Sequence, residues 1–352
     1  MGIARDNKNP LISVVIPITR YECELNEALL SVFSQTEKNF EIILVDNHAT
    51  PGTRSIAESW VLRYPEKVRL VFEIKKGLVS ARNKGIIESR GQFISFLDSD
   101  DRMKPDRLEI QHKTLLSDPS ITLVGSWTDE ISPDGKMILG KNSTPKIPRW
   151  ASILFANQVR WKADPFYEPR PSTFFLRASV CKAELFDPRF DPFWLEDTDF
   201  SFRLYEKGRV AIVPQSLVEY RVHPEADSIR RIFDFGLILK HDVFFSILKE
   251  KYLRKGTSES ISAFTKLKSR WLRETGIKML AYQDGERYGK DLIRRSFFLN
   301  LSDIQNWESF VRSQLPRFFY PRAFGVKGPI DAVLPKYVDD KWLSNLFSLE
   351  DD

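Results

Sequence analysis

Short apolar runs alternate with amphipathic stretches over the first hundred residues of the chain. The apolar runs are rich in β-branched residues and phenylalanine and cover residues 11–18, 41–46, 68–73 and 92–98. Between them, apolar residues recur at helical spacing in residues 24–34, 53–63 and 79–89. Apolar runs of this length indicate strands buried on both faces, and their alternation with helices is typical of a parallel sheet. The pattern predicts an open, mostly parallel α/β sheet flanked by helices.

After residue 104, predicted helices and strands still alternate, but less regularly. A helix is predicted from Pro105 to about Leu116, because proline suits the first helical turn. A strand is predicted at residues 121–128, and two further strands lie in the sequences RVAIVP and SLVEYRV. Residues 132–172 are rich in proline and lysine, which predicts a loop with short elements.

Beyond residue 229 the strand alternation disappears, and the sequence becomes helical in pattern, basic and rich in phenylalanine. We therefore predict two domains, an α/β domain of residues 1–228 and a helical C-terminal region of residues 229–352.

Composition indicates a folded chain in a reducing compartment. Of its 352 residues 42% are hydrophobic and 29% charged, which excludes a disordered chain. The two cysteines are too few for a disulfide framework or a four-thiolate zinc site. No signal peptide or apolar run of about 18 residues is found, so a cytoplasmic location is expected.

The positive charge lies in one part of the chain. The formal net charge is +5, yet residues 229–330 alone hold 20 Lys and Arg against 10 Asp and Glu. Basic and aromatic residues interleave there, which allows contact with anionic lipid at the inner face of a membrane. The alternative is an ordinary helical subdomain whose phenylalanines pack inward. No recognised nucleic-acid module is present, so no nucleic-acid partner is expected.

An acidic turn follows the fourth predicted strand. Asp98 and Asp100 are two positions apart at the strand end, followed by Asp101. Aspartates at this spacing suit Mg²⁺ or Mn²⁺, which share their coordination with substrate phosphates. The alternative is a solvated turn that caps the next helix. The preceding segment GLVSARNKG places Arg82 on the first turns of a helix, where its guanidinium and the N-terminal amides together favour a diphosphate. The alternative is a surface arginine on an amphipathic helix.

Five motifs in this order resemble the inverting family 2 glycosyltransferases of the GT-A fold. They are VVIPITR, EIILVDN, GLVSARNKGI, GQFISFLDSDD and FWLEDTDFSFRL with YRVHPEADS, over about residues 11–228. The resemblance implies a nucleotide-diphosphate sugar as donor, a divalent metal, and displacement at the anomeric carbon by an acceptor hydroxyl. It also implies a GT-A catalytic domain in residues 1–228.

The resemblance assigns roles to residues at the predicted strand ends. Thr19 would cradle the nucleotide, Asp46 would pair with the base, and Arg82 would lie near base and phosphates. Asp98 would contact the ribose or the metal, and Asp100 would bind the metal. A UDP-sugar is the first expectation, although Asn47 and His48 depart from the acidic and small residues usual after Asp46, so the base stays open.

The resemblance also implies a catalytic base. An acceptor hydroxyl is a poor nucleophile, so a carboxylate must take its proton. Asp197 matches that base, and Glu196 would orient the acceptor. The alternative is helix capping by Asp197 or Thr198. Asp199 fits a structural role better.

His223 matches a family position where a histidine completes the metal shell with Asp98 and Asp100. A loop histidine without a ligand is the equal alternative. A second departure from the family is the lack of a glycine-rich turn in residues 183–188, which read AELFDP.

The acceptor is not specified by these motifs; a polysaccharide, a lipid-linked glycan or a protein all fit. Two other functions stay open. One is an inactive protein of the same fold that binds a nucleotide sugar or a polysaccharide. The other is a nucleotidylyltransferase, although VVIPITRYE lacks the glycine-rich phosphate loop which that class needs.

Overall fold

The computed structural model describes residues 10–139, 169–193, 196–223, 246–247, 250, 258–280 and 286–314. The chain divides into two compact units. The first comprises residues 1–147 and 161–226, and the second residues 148–160 and 227–352. The predicted boundary between residues 228 and 229 lies outside the described residues and stays a prediction.

The first unit is built around one mixed sheet with helices on both faces. Its strands are β1 (Ile12–Ile18), β2 (Phe40–Asp46), β3 (Val68–Phe72), β4 (Phe93–Phe96), β5 (Arg102–Met103), β6 (Ile121–Ile131), β7 (Met137–Leu139), β8 (Phe175–Arg177) and β9 (Arg209–Arg221). Its helices are α1 (Glu22–Phe33), α2 (Pro51–Arg63), α3 (Leu78–Glu88), α4 (Arg107–Ser117), α5 (Ala178–Ala183) and α6 (Glu196–Lys207). The predicted α/β class is confirmed.

Strand order separates a parallel half from a mixed half. The order is β3-β2-β1-β4-β8-β6-β9-β5, with β7 beside β6. The pairs of β1 with β2 and β4, and of β2 with β3, are parallel as predicted. Beyond β4 the sheet is mixed, because β8 runs antiparallel to both β4 and β6 while β6 and β9 are parallel.

Two predicted elements differ in detail. The predicted strands RVAIVP and SLVEYRV form one strand, β9, with an irregular register against Ser126 and Trp127. Pro214 lies at this irregularity, where its missing N–H interrupts the ladder without ending the strand. Helix α4 begins at Arg107, two residues after the predicted start, because Pro105 and Asp106 form a turn before it.

Both faces of β1, β2 and β4 are buried, so β1 alternates between two cores. Val14 and Ile16 pack with α1 and α2 on one face. Val15 packs with α3 on the other, together with Phe174, Cys181 and Phe200. This two-sided burial explains why the strands read as continuous apolar runs.

Helix α3 lies unusually close to β1. A Cβ on Gly85 would lie 2.2 Å from Val15 Cγ1 and 3.2 Å from Val15 Cβ. Since Val15 is fully buried in a packed core, this position requires glycine. This close contact fixes the distance between α3 and the sheet.

A buried arginine ties α4 to the end of β4. Arg107 donates to Ser95 Oγ and to the Phe96 carbonyl, each over 3.0 Å, and its Nε donates to Gln111 Oε1 over 2.9 Å. Burial lowers the pKa of the Arg107 guanidinium to about 9, although the charge of Asp101 acts in the opposite direction. These bonds hold the backbone immediately before the acidic turn.

The described part of the second unit contains α7 (Ser258–Met279), α8 (Glu286–Leu299) and α9 (Ile304–Ser313). The helical C-terminal region is therefore confirmed. Helix α9 turns polar residues inward: Asn306 Nδ2 donates to Ser269 Oγ, and Ser296 Oγ donates to Asn306 Oδ1, each over 2.8 Å. Across the described residues, no helix has the length and hydropathy needed to cross a bilayer.

The two cysteines differ sharply in accessibility, which gives a simple test of the first unit. Cys23 is exposed on α1, whereas Cys181 is buried in α5 and burial raises the pKa of its thiol. We expect a thiol reagent such as DTNB to modify one thiol quickly in the native protein and two after denaturation. Cys23→Ser should remove the fast reaction. Fast modification in native Cys23→Ser protein would contradict this core packing.

Candidate functional site

Polar side chains gather where β1, β2 and β4 end. Thr19 follows β1, Asp46 ends β2, and Asp98 comes two residues after β4. Because these strands are parallel, their carboxyl ends lie at the same edge of the sheet, where ligands bind in open α/β folds. Thr19, Asp46 and Asp98 are therefore brought to one edge of the sheet.

Arg82 is the centre of this edge. It projects from α3 and is only 2% exposed. Its Nη1 donates to Glu196 Oε1 over 2.9 Å, and its Nη2 donates to Asp98 Oδ1 over 3.1 Å. Burial acts to lower the pKa of Arg82, but the charges of Asp98, Glu196 and Asp197 outweigh it and raise that pKa above its ordinary value. The side chain thus carries a fixed positive charge between two carboxylates.

Residues 183–188, which contain no glycine, contact Asn83 and Arg82. Asn83, next to Arg82, donates from Nδ2 to the Phe186 carbonyl and accepts from the Phe186 N–H, over 2.8 and 2.9 Å. The Phe186 ring stacks on Phe200 at a centroid distance of 4.0 Å, and the Arg82 guanidinium carbon lies 5.7 Å from its centroid. Two stacked phenylalanine rings therefore lie beside Arg82 where the sequence lacks a glycine-rich turn.

The acidic turn gives its three carboxylates three different environments. Asp98 pairs with Arg82. Asp101 is fully buried, and its Oδ1 accepts from the Arg221 N–H over 2.9 Å. Burial raises the pKa of Asp101 well above its ordinary value, and the charges of Asp100 and Asp98 add to that rise.

Arg221 holds this turn, a role that the sequence did not suggest. Its Nε donates to the Asp100 carbonyl over 2.8 Å, and its Nη1 donates to the Pro133 carbonyl over 2.7 Å. Its Nη2 pairs with Glu27 on α1. One buried side chain at the end of β9 thus connects the acidic turn to α1 and to the turn before β7.

Asp100 faces a histidine from the other half of the sheet. Nε2 of His223 lies 3.4 Å from Asp100 Oδ2, and this nitrogen is buried without a well-formed hydrogen bond. Burial raises the pKa of Asp100, the nearby charge of Asp98 adds to the rise, and His223 works against it. The structure therefore brings together two of the three residues predicted to bind a metal.

These groups fit a divalent cation in their chemistry. A buried carboxylate beside a second carboxylate and an imidazole nitrogen without a hydrogen bond are suitable ligands for Mn²⁺ or Mg²⁺. Asp98 is held by Arg82, however. Across the described residues, no group of three His, Cys, Asp or Glu side chains is arranged to hold a metal. The metal site stays a prediction.

Asp46 is buried, and both of its oxygens accept hydrogen bonds. Oδ1 accepts from the Ala49 N–H over 2.8 Å, and Oδ2 accepts from Arg54 Nε over 2.6 Å. Thr19 is exposed, and its carbonyl accepts from the Thr50 N–H over 2.7 Å. The turn after β1 and the turn after β2 are therefore joined by a hydrogen bond, and one ligand could contact both.

Asn47, noted in the sequence only as a departure from the family, is a buried connector. Its Nδ2 donates to the carbonyls of Glu73 and Lys75 over 3.1 and 2.9 Å. Its Oδ1 accepts from the Gly77 N–H over 2.8 Å, immediately before α3. An aspartate could not make the two donations. The exposed His48 that follows has a left-handed backbone with φ 62°.

The predicted catalytic pair begins α6. Glu196 is buried and bonded to Arg82, whereas Asp197 is partly exposed. Asp199 is buried, and its Oδ2 accepts from Arg203 Nε over 2.9 Å, which agrees with a structural role. The two carboxylates of the pair therefore have different environments, and only Asp197 is open to solvent.

Comparisons with known proteins describe what the chain is similar to. The family profile described as "Glycosyl transferase family 2" matches residues 13–184. An uncharacterized glycosyltransferase of Haemophilus influenzae is 34% identical over 152 residues, which are 43% of this chain and 60% of the relative. The putative teichuronic acid biosynthesis glycosyltransferase TuaG of Bacillus subtilis is 36% identical over 106 residues, 30% of this chain and 42% of TuaG. The chain thus spans about half of the length of these relatives.

One solved structure aligns with most of this chain. The crystal structure of S. aureus TarS 1–349 in complex with UDP covers 88% of this chain and 91% of its own, at 16% identity and a TM-score of 0.49. A likeness this low assigns no ligand to the present chain.

The Arg82 contacts predict a non-additive pair of substitutions. Arg82→Met should lower the free energy of unfolding by about 3–5 kcal/mol, because Glu196 is left buried without its cation. Adding Glu196→Gln removes that charge, so the double variant should be more stable than Arg82→Met alone. Urea unfolding measures both.

A matched control is Lys113→Met, which removes the exposed partner of Glu109 one helical turn away on α4 and should leave the free energy of unfolding nearly unchanged. Equal stabilities of Arg82→Met and the wild type would show that the buried ion pair is not formed.

Proposed function

We propose that the protein transfers a sugar from a nucleotide-diphosphate sugar to an acceptor hydroxyl, because residues 13–184 match the profile of glycosyl transferase family 2. The observation that supports this most is the buried Arg82 beside the acidic turn, at the carboxyl edge of the parallel strands. A fixed cation there suits a diphosphate that gains negative charge as the sugar leaves.

The donor diphosphate is proposed to lie between Arg82 and the acidic turn. Asp100 and His223, with Asp98, would hold a divalent cation. When bound, this cation stabilises the negative charge of the leaving diphosphate. Arg82 adds to that effect from the protein side, and its two carboxylate partners prevent it from turning away. Asp46 and Thr19 would bind the nucleoside; UDP is the first candidate, and the base is open.

Asp197 is proposed as the general base of a single inverting displacement. Its partly exposed carboxylate would take the acceptor proton while the acceptor oxygen attacks the anomeric carbon. The adjoining Glu196 is bonded to Arg82, so the first turn of α6 is fixed relative to the diphosphate site. Since Glu196 Oε1 accepts from Arg82, its other oxygen, Oε2, would orient the acceptor.

The acceptor is proposed to be a glycan chain, a glycolipid or a glycoprotein. The similarity to a putative teichuronic acid biosynthesis glycosyltransferase favours polysaccharide synthesis. Loops outside the parallel strands vary most among proteins of one fold, so the acceptor does not follow from the site residues.

Calorimetry with UDP, GDP, TDP and CMP, each with Mn²⁺, Mg²⁺ or EDTA, tests the donor site. We expect one nucleotide to bind in a metal-dependent way. Asp100→Ala should abolish that dependence. Asp197→Asn should keep donor binding and lower turnover about 10²–10⁴-fold, because its work is done on the acceptor.

Asp118→Ala, which removes a partly exposed carboxylate at the end of α4, is the matched control and should change neither quantity. Equal affinity with Mn²⁺ and with EDTA would contradict the metal assignment. Binding without transfer to any acceptor glycan would favour the inactive binding protein instead.

We also propose that the second unit contacts an anionic membrane surface through α9. Ile304, Trp307 and Val311 lie at helical spacing and are 69%, 46% and 60% exposed. Phe298, also exposed, has the Arg294 guanidinium 5.8 Å from its ring centroid, and Arg312 lies beside the apolar residues. Apolar groups with a tryptophan and neighbouring arginines suit the headgroup region of an anionic bilayer.

Vesicle flotation tests this contact. The protein should float with vesicles containing 30% anionic lipid, less so at high salt, and Ile304→Ser/Val311→Ser should weaken partitioning about tenfold or more. Leu62→Ser, at an exposed leucine of α2 in the first unit, is the control. No flotation, or self-association through the same residues, would exclude the membrane as the occupant of this face.

A further inference from the structure

Tyr21 has a backbone conformation that needs an explanation. It precedes α1 with φ 76° and ψ 67°, and its side chain makes no capping hydrogen bond to the helix. Among the described residues, only Tyr21 and His48 are non-glycine residues with positive φ. A bulky side chain in the left-handed region is strained, so other contacts must favour tyrosine here.

The Tyr21 ring stacks on the imidazole of His223. Their centroids are 4.7 Å apart and the planes differ by 18°. The guanidinium carbon of Arg20 lies 5.0 Å from the Tyr21 ring centroid. The left-handed turn after β1 therefore directs an aromatic ring from the start of α1 onto a residue that follows β9.

The His223 imidazole lies against both the Tyr21 ring and Asp100. The backbone before it is held by Arg221, yet the imidazole has two further rotatable bonds. Its buried Nε2 has no well-formed hydrogen bond to fix it and lies 3.4 Å from Asp100 Oδ2. A parallel ring 4.7 Å away restricts the imidazole plane.

We propose that Tyr21 is a positioning residue of the cation site: its ring holds the His223 imidazole in the plane that directs Nε2 toward Asp100. This inference rests on the proposed function, in which Asp100 and His223 hold the cation. The hydroxyl of Tyr21 has no part in the stack, so phenylalanine should replace tyrosine.

Glycine at this position separates positioning from folding. Tyr21→Gly removes the ring but relieves the left-handed backbone, so the thermal unfolding midpoint should stay the same or rise. Its affinity for Mn²⁺ should nevertheless fall about 10-fold or more, the usual effect of losing a group that orients a ligand. Tyr21→Phe should bind Mn²⁺ within about twofold of the wild type.

The experiment titrates the full chain with Mn²⁺ and follows the free ion by electron paramagnetic resonance. His48→Gly is the matched control, because it relieves the other left-handed residue without touching His223. Histidine NMR gives a readout without metal: the His223 ring resonances, assigned with His223→Gln, should lose their ring-current shift in Tyr21→Gly and keep it in Tyr21→Phe.

The outcomes separate this inference from the function on which it rests. Wild-type affinity in Tyr21→Gly, with Mn²⁺ binding lost in Asp100→Ala, overturns the positioning role and leaves the cation site in place. Absence of Mn²⁺ binding in the wild type overturns both. Loss of affinity in Tyr21→Phe equal to that in Tyr21→Gly shows that the hydroxyl acts and overturns the stacking explanation.

Discussion

The buried guanidinium of Arg82 is the interaction on which the rest of this site depends. Removing an arginine from water is costly, and two carboxylates from different elements offset that cost. One of them follows β4, and the other begins α6, 114 residues away in sequence from Arg82. Helix α3, the acidic turn and the start of α6 are thus fixed around one charge, so the fold and the candidate site share the same interaction.

The three aspartates of the acidic turn have different partners in the folded protein. Asp98 is held by Arg82, Asp101 by the backbone of β9, and only Asp100 faces His223. The spacing of three aspartates in sequence suggests equivalent ligands. In the folded protein their burial and partners differ, because Arg82, the backbone of β9 and His223 each contact a different aspartate.

The parallel half of the sheet could be predicted because its signals are local. Strands β1 to β4 and helices α1 to α3 follow from apolar runs and helical spacing, and the strand ends then place Thr19, Asp46 and Asp98 at one edge. The order β8-β6-β9 depends on pairings between distant strands, which no local pattern encodes. For the same reason the roles of Asn47, Arg221 and Tyr21 were missed: each acts through a partner that only the fold brings near.

The close approach of α3 to β1 has a consequence for how this protein can evolve. Gly85 lies three residues after Arg82, almost one helical turn along the same helix, and leaves no space for even a methyl group against Val15. A side chain there would lift the helix and carry the guanidinium away from its carboxylates. In a saturation mutagenesis screen, a residue that touches no ligand would then be as intolerant as the site itself. Evolutionary change in this unit is therefore expected in the loops beyond the strand ends rather than where α3 contacts β1.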